Sequence, residues 1–374
     1  MVVSRFDETQ NIFYLKSQDD DSVQYAVFCK LKLKGTVAGQ QCTVDISKPS
    51  ADYELHRFIN PYLNAQDDLF KINYNDKNIG YIIPFTALED NDNNFDEDFD
   101  EYKQAYKYYC VKSFLECYDF PNHLQTSEMQ LNDIVETNSI YVILYKPLID
   151  EEDFKIDNCL PSFALNGYYL FPENTKPSVL SLVHDRPTDS EFNALINTRY
   201  RTNRSGTSIR IKTYKNILQL NPLIELFYKK LLIESNEPLH RFIVLYQIIE
   251  LLIDKRFRKE IEDIFREKDT LSNHKLAKKI NKITNNKNII NKIFENVVFP
   301  EKEEITNVMR DFIVEFDSEF NSQSPGECLY ELRNLIFHDY KSLLEKNKHG
   351  EIASLVIQCE ILIHHLIMAT YNNP

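Results

Sequence analysis

From about residue 213 to the C-terminus the apolar residues recur at three- and four-residue steps, and this spacing constrains the fold more than any other feature of the chain. In PLHRFIVLYQIIELLIDKRF, Leu239, Phe242, Tyr246, Ile249 and Ile253 fall on one helical stripe, and Pro238 suits its first turn. LIELFYKKLLIES, just before it, is amphipathic and stops at Asn236. Further helices are expected at 274–284, 287–297, 302–320, 325–345 and 349–371. The last, IASLVIQCEILIHHLIMA, is strongly apolar. A series of this kind packs as an all-α bundle over residues 213–374.

The N-terminal part has a different grain. YAVFCKLKLKG, CTVDI, IGYIIPF and SIYVILYKPL are short, rich in β-branched and aromatic residues, and bounded by turn residues, so they predict strands. EYKQAYKYYCVKSFLECY, residues 101–118, predicts a helix between them. With 374 residues the chain exceeds one ordinary core. The expected class is α+β: a mixed, β-rich domain over 1–205, then the helical bundle. The basic junction RYRTNRSGTSIRIKT, 199–213, suits a flexible linker or an edge hairpin. Either form presents Arg199, Arg201, Arg204 and Arg210 to an anion.

A net charge of −14 looks hostile to nucleic acid, yet residues 255–292 carry 12 Lys and Arg against 5 Asp and Glu. A phosphate backbone responds to local potential, so RNA remains an expected partner of the C-terminal part, with Lys275, Lys278, Lys279 and Lys282 as its contacts. The 7 glycines form no GxGxxG, GxxxxGK[ST] or GxSxG pattern, which removes support for nucleotide loops and the hydrolase elbow. The 7 cysteines form no CxxC pair and fit reduced thiols. HExxH is absent, and the adjacent His364 and His365 face different directions on an apolar helix, which suits core or interface positions. No metal or cofactor is expected. No apolar run is expected to cross a bilayer and the N-terminus lacks a secretory pattern, so a cytoplasmic location is expected. In DNDNNFDEDFDE, Asp90, Asp92, Asn94, Asp96, Asp98 and Glu101 match calcium-loop positions, but Phe95 stands where glycine makes the turn and no helix is expected before it. A solvated acidic loop is the simpler expectation.

Chemistry concentrates in ELRNLIFHDY, residues 331–340. Leu332, Leu335 and Ile336 point into a core; Arg333, Asn334 and His338 bring groups that bind phosphate and move protons. Asn334 and His338 are four apart and share a helix face with Tyr330, whereas Arg333 lies about 140° from His338 around the axis. The simplest alternative places Arg333 in surface pairs with Glu331 or Glu327.

The RNLIFH motif, on an amphipathic helix in the second half of a bundle, resembles the HEPN family of helical domains found in prokaryotic toxins, phage-defence proteins and RNA-processing factors. PLHRFIVLYQIIELL resembles the early bundle helix of defence-type members. The resemblance covers roughly 213–374. It implies a homodimer whose two motifs line one cleft, and a metal-independent endoribonuclease acting as a toxin-like antiviral effector. Arg333, Asn334 and His338 would then be catalytic, with Glu250 and Tyr330 supporting. The N-terminal domain would sense a trigger, bind an inhibitor or select RNA. A non-catalytic HEPN-like module that dimerises and binds RNA or a protein partner is the alternative.

Overall fold

A computed structural model describes residues 1–17, 23–37, 39–60, 69–89, 100–118, 120, 128–135, 139–149, 154–171, 208–214, 221–235, 237–295, 297–346 and 348–372. These divide into two compact units, one ending at Thr213 and the other beginning at Tyr214. The layout is α+β, β-rich first and helical second.

The first unit holds two main sheets. One has the order β1 (Val2–Asp7), β2 (Ile12–Lys16), β3 (Val23–Phe28), β9 (Glu128–Gln130). The small hairpin of β4 (Lys34–Val37) and β5 (Gln40–Thr43) stands apart from it. The six-stranded sheet runs β11 (Tyr169–Leu170), β6 (Tyr53–Ile59), β10 (Ile140–Tyr145), β8 (Lys77–Pro84), β7 (Phe70–Tyr74), β12 (Ser208–Arg210). Its central strands are antiparallel, and β8 and β10 are buried almost throughout. Gly80 permits that pairing, because a Cβ there would run into the carbonyl oxygen of Ile143.

Helix α2 (Glu101–Cys117) lays Tyr106, Tyr109 and Leu115 into a core shared with Phe13 and Val27 of one sheet and Tyr81 and Ile143 of the other. Asp100 caps it, accepting from the backbone N–H groups of Tyr102 and Lys103 at 3.0 and 3.2 Å. Residues 90–99 of the acidic run lie outside the described residues. A short helix, α1 (Phe85–Glu89), does precede that run, against expectation. Helix α3 (Leu160–Leu165) completes the unit.

The junction differs from both forms expected of it. Residues 208–210 form β12, parallel to β7 at the sheet edge, with Ile209 buried. Lys212 N–H donates to Ser162 Oγ at 3.0 Å, so the segment is bound into the first unit. Burial of Ile209, Ile211 and Tyr214 explains this despite the basic composition.

In the second unit α4 (Pro222–Leu226) passes through a π-helical turn (Phe227–Leu231) into α5 (Leu232–Glu234). Then come α6 (Pro238–Glu267), α7 (Asn273–Ile283), α8 (Asn286–Phe294), α9 (Lys302–Val314), α10 (Pro325–His338), α11 (Tyr340–Glu345) and α12 (Ile352–Asn372). Helix α12 packs on α6 and α9, while α8 packs on α6 and α10. Two lengths depart from expectation. Helix α9 stops at Val314, and the single helix expected over 325–345 breaks at Asp339. The expectation that no segment has the length and apolarity to cross a bilayer also fails: α12 has both over Ile352–Tyr371. Most of that helix is buried inside the unit, with Leu362, Ile363 and Leu366 fully covered.

Arg241 and Glu360 tie this core together. The guanidinium meets the carboxylate through two bonds, Nε to Oε2 at 2.7 Å and Nη2 to Oε1 at 2.8 Å, both side chains being buried. Nη1 also donates to the carbonyls of Leu232 and Ser235, which α5 leaves open at its C-terminal end. Burial alone would raise the Glu360 carboxyl, but Arg241 and His364 outweigh it and hold the group well below the usual carboxylate range.

Candidate functional site

Helix α10 carries the Arg333 motif, and its start is fixed before the motif begins. Ser324 caps it, Pro325 occupies the first turn, and Gly326 faces α8, where a Cβ would lie 2.8 Å from Asn291 Oδ1 and Ile290 Cγ2. Asn291 accepts from Ser324 Oγ at 2.5 Å and donates to Glu327 Oε1 at 2.8 Å. Leu332, Leu335 and Ile336 are buried and set the rotation of the helix. Arg333 and Asn334 are consequently half-buried, and Phe337 and His338 are exposed.

The helix ends at His338. Asp339 leaves helical geometry (φ −130°, ψ 35°) while its N–H still donates to the Leu335 carbonyl at 3.1 Å. The imidazole thus sits on the final helical residue.

Arg333 bridges the 140° around the helix that separates it from His338. Its Nη1 lies 2.6 Å from His338 Nε2 and 3.2 Å from Asn334 Oδ1. A guanidinium has no lone pair to offer, so the first contact is a hydrogen bond when Nε2 is the acceptor and the ring proton is on Nδ1. The guanidinium carbon is 5.2 Å from the Phe337 ring centre and 5.8 Å from that of Tyr246, within the range of cation–π attraction. Tyr246 comes from α6 and is buried; burial pushes its phenol up to about 12, against the pull of Arg333.

Arg333 pairs with neither Glu327 nor Glu331. Glu327 takes Asn291 and Lys287, the latter at 3.3 Å. Glu331 accepts from Asn334 Nδ2 at 3.2 Å and lies 3.7 Å from Lys287. Glu250 is exposed, and the hydrogen bonds of Arg333 among the described residues run to Asn334 and His338 instead. Tyr330 is half-buried on α10 and makes no hydrogen bond to the motif among the described residues. Neither joins the cluster directly, whereas Tyr246, Phe337 and Glu331 do. Tyr246 stood on the apolar stripe and read as packing; Glu331, three residues before Asn334, was open to the same helix argument that paired Asn334 with His338.

Lys275, Lys278 and Lys282 lie exposed along one side of α7 and form no ion pair among the described residues. Lys279 on the same side is held by Glu267 at 2.5 Å. Arg210 is exposed at the end of β12; Arg199, Arg201 and Arg204 lie outside the described residues. His364 is buried, with Nδ1 3.0 Å from the Tyr228 hydroxyl and Nε2 3.4 Å from Glu360. His365 stacks on Phe299 with ring centres 4.2 Å apart.

The cluster on α10 combines a fixed cation, an amide and an imidazole at a surface, a set able to hold an oxyanion and transfer a proton beside it. No protein-family model, curated protein or solved structure matches the chain.

Proposed function

We propose that the helical unit is a metal-independent endoribonuclease of the HEPN type, built from Arg333, Asn334 and His338. The observation that carries this reading is the 2.6 Å approach of Arg333 Nη1 to His338 Nε2 on an exposed helix end. RNA supplies its own nucleophile. His338 Nε2 accepts the 2′-hydroxyl proton, the oxygen attacks the adjacent phosphorus, and the 5′-oxygen leaves with a proton from a second imidazole. The products are a 2′,3′-cyclic phosphate and a 5′-hydroxyl. Arg333, already beside Nε2, transfers its N–H from the imidazole to a phosphate oxygen as substrate enters, so one movement frees the base and neutralises charge developing on phosphorus.

A second imidazole requires a second copy of the chain, which makes the active form a homodimer through the helical unit. The exposed Lys275, Lys278 and Lys282, with Arg210, guide RNA. The first unit restrains or triggers the nuclease, as a toxin-like antiviral effector requires. The test is cleavage of RNA in EDTA by the full chain, with end-group analysis. Cyclic-phosphate ends, lost in Arg333→Ala and His338→Ala, are expected. Equal cleavage by wild type and both variants ends this reading. No cleavage by any of the three, with intact RNA binding, favours the non-catalytic module instead.

A further inference from the structure

Five side chains form a relay whose hydrogen-bond direction is fixed by chemistry. Lys287 Nζ lies 3.7 Å from Glu331 Oε1. Glu331 Oε2 accepts from Asn334 Nδ2 at 3.2 Å. Asn334 Oδ1 accepts from Arg333 Nη1 at 3.2 Å, and the same nitrogen donates to His338 Nε2 at 2.6 Å. An ionised carboxylate only accepts and a guanidinium only donates. Asn334, lying between them, therefore has one workable orientation: its NH2 toward Glu331 and its carbonyl toward Arg333. Reversing the amide would put a donor against a donor and an acceptor against an acceptor.

We infer that Glu331 is a positioning residue for the Arg333–His338 pair: by orienting Asn334 it holds the guanidinium against Nε2, with the imidazole proton on Nδ1. Lys287, on α8, anchors the outer end by drawing on both Glu331 and Glu327. The partly exposed Glu331 has no packing reason to be acidic, since its side chain is 32% accessible and lies on the polar side of α10. Its two partners are Lys287 and the motif itself. The inference rests on the proposed cleavage only for its kinetic arm.

The test uses the full chain labelled with 15N-histidine, at about pH 8, where an ordinary imidazole is neutral. The His338 signals are assigned by their loss in His338→Gln. Long-range 1H–15N spectra are then compared for wild type, Glu331→Ala, Glu331→Gln and Lys287→Ala. Wild type is expected to show an acceptor-type Nε2 and a protonated Nδ1. Glu331→Ala loses that preference, and Glu331→Gln keeps it because its amide oxygen still accepts from Asn334. Lys287→Ala falls between them. In the kinetic arm Glu331→Ala lowers kcat about tenfold with KM nearly unchanged, and Glu331→Gln stays within about twofold. An unchanged His338 spectrum in Glu331→Ala, or an unchanged kcat where wild type cleaves, overturns the inference. If wild type cleaves nothing, the cleavage reading falls by itself and the spectra still decide whether Glu331 positions the pair.

Discussion

Tyr246 of α6 lies beneath the Arg333 guanidinium, 5.8 Å from ring centre to the carbon of the charged group. It links a buried position on one helix to a reactive side chain on another. Contacts of this type contribute about 0.5–1 kcal/mol at partly exposed sites, or about two- to fivefold in rate if felt only in the transition state. Tyr246→Phe keeps the ring face and is expected to leave kcat/KM within about twofold. Tyr246→Leu keeps the core filled and is expected to lower it about two- to fivefold. Steady-state cleavage of a fluorogenic RNA measures both.

The lysines of α7 lead to a salt-dependence prediction. Each phosphate contact on a single strand contributes about 0.7 to the slope of log K against log salt. Replacing Lys275, Lys278 and Lys282 by alanine is expected to flatten that slope by about 2, with little effect on kcat. Fluorescence anisotropy on a 2′-deoxy-substituted oligonucleotide at several salt concentrations reads the slope without cleavage.

Breaking the buried Arg241–Glu360 pair from one side leaves a charge with no counterpart in a dry interior. Glu360→Leu alone is expected to destabilise the helical unit by about 3–5 kcal/mol. Arg241→Met with Glu360→Leu removes both charges and is expected to cost less than the two single losses added together. It should still fall short of neutral, since the Leu232 and Ser235 carbonyls lose their donor. Urea denaturation of the three variants gives the coupling.

His365 makes stability depend on pH. Burial, then the neighbouring His364, pushes its imidazole down to about 4. The unfolded chain titrates near the ordinary ~6.5 and so binds the proton more readily than the folded chain. Stability is therefore fully present above about pH 6.5 and falls as the pH drops toward about 4, by on the order of 2 kcal/mol. His365→Phe retains a ring to stack on Phe299 and is expected to flatten that part of the pH–stability curve, read from melts between pH 4 and 7.

The α+β layout was legible because the apolar period shifts from two to about 3.6 near residue 213. The break at Asp339 was not, since Ile336, Asp339 and Leu343 keep helical spacing across it and period alone cannot detect one residue leaving helical geometry. β12 was hidden for a different reason. Its neighbours Arg204 and Arg210 make the stretch look solvated, and only pairing with a strand over a hundred residues earlier makes Ile209 a core residue. At the candidate site, Arg333, Asn334 and His338 were nameable from chemistry. The support from Tyr246 depends on helix packing, and Glu250, which shared the apolar helix, remained exposed and outside the cluster.

Terminating α10 at His338 insulates the motif from whatever follows it. Each added or deleted residue between Ser324 and Arg333 would swing the guanidinium about 100° around the axis and ruin its phase with the anchoring leucines. Beyond Asp339 no such phase is shared, so the segment leading to α12 is free to lengthen, shorten or change composition over generations while the imidazole stays aimed. The tolerant stretch and the intolerant one meet at a single residue.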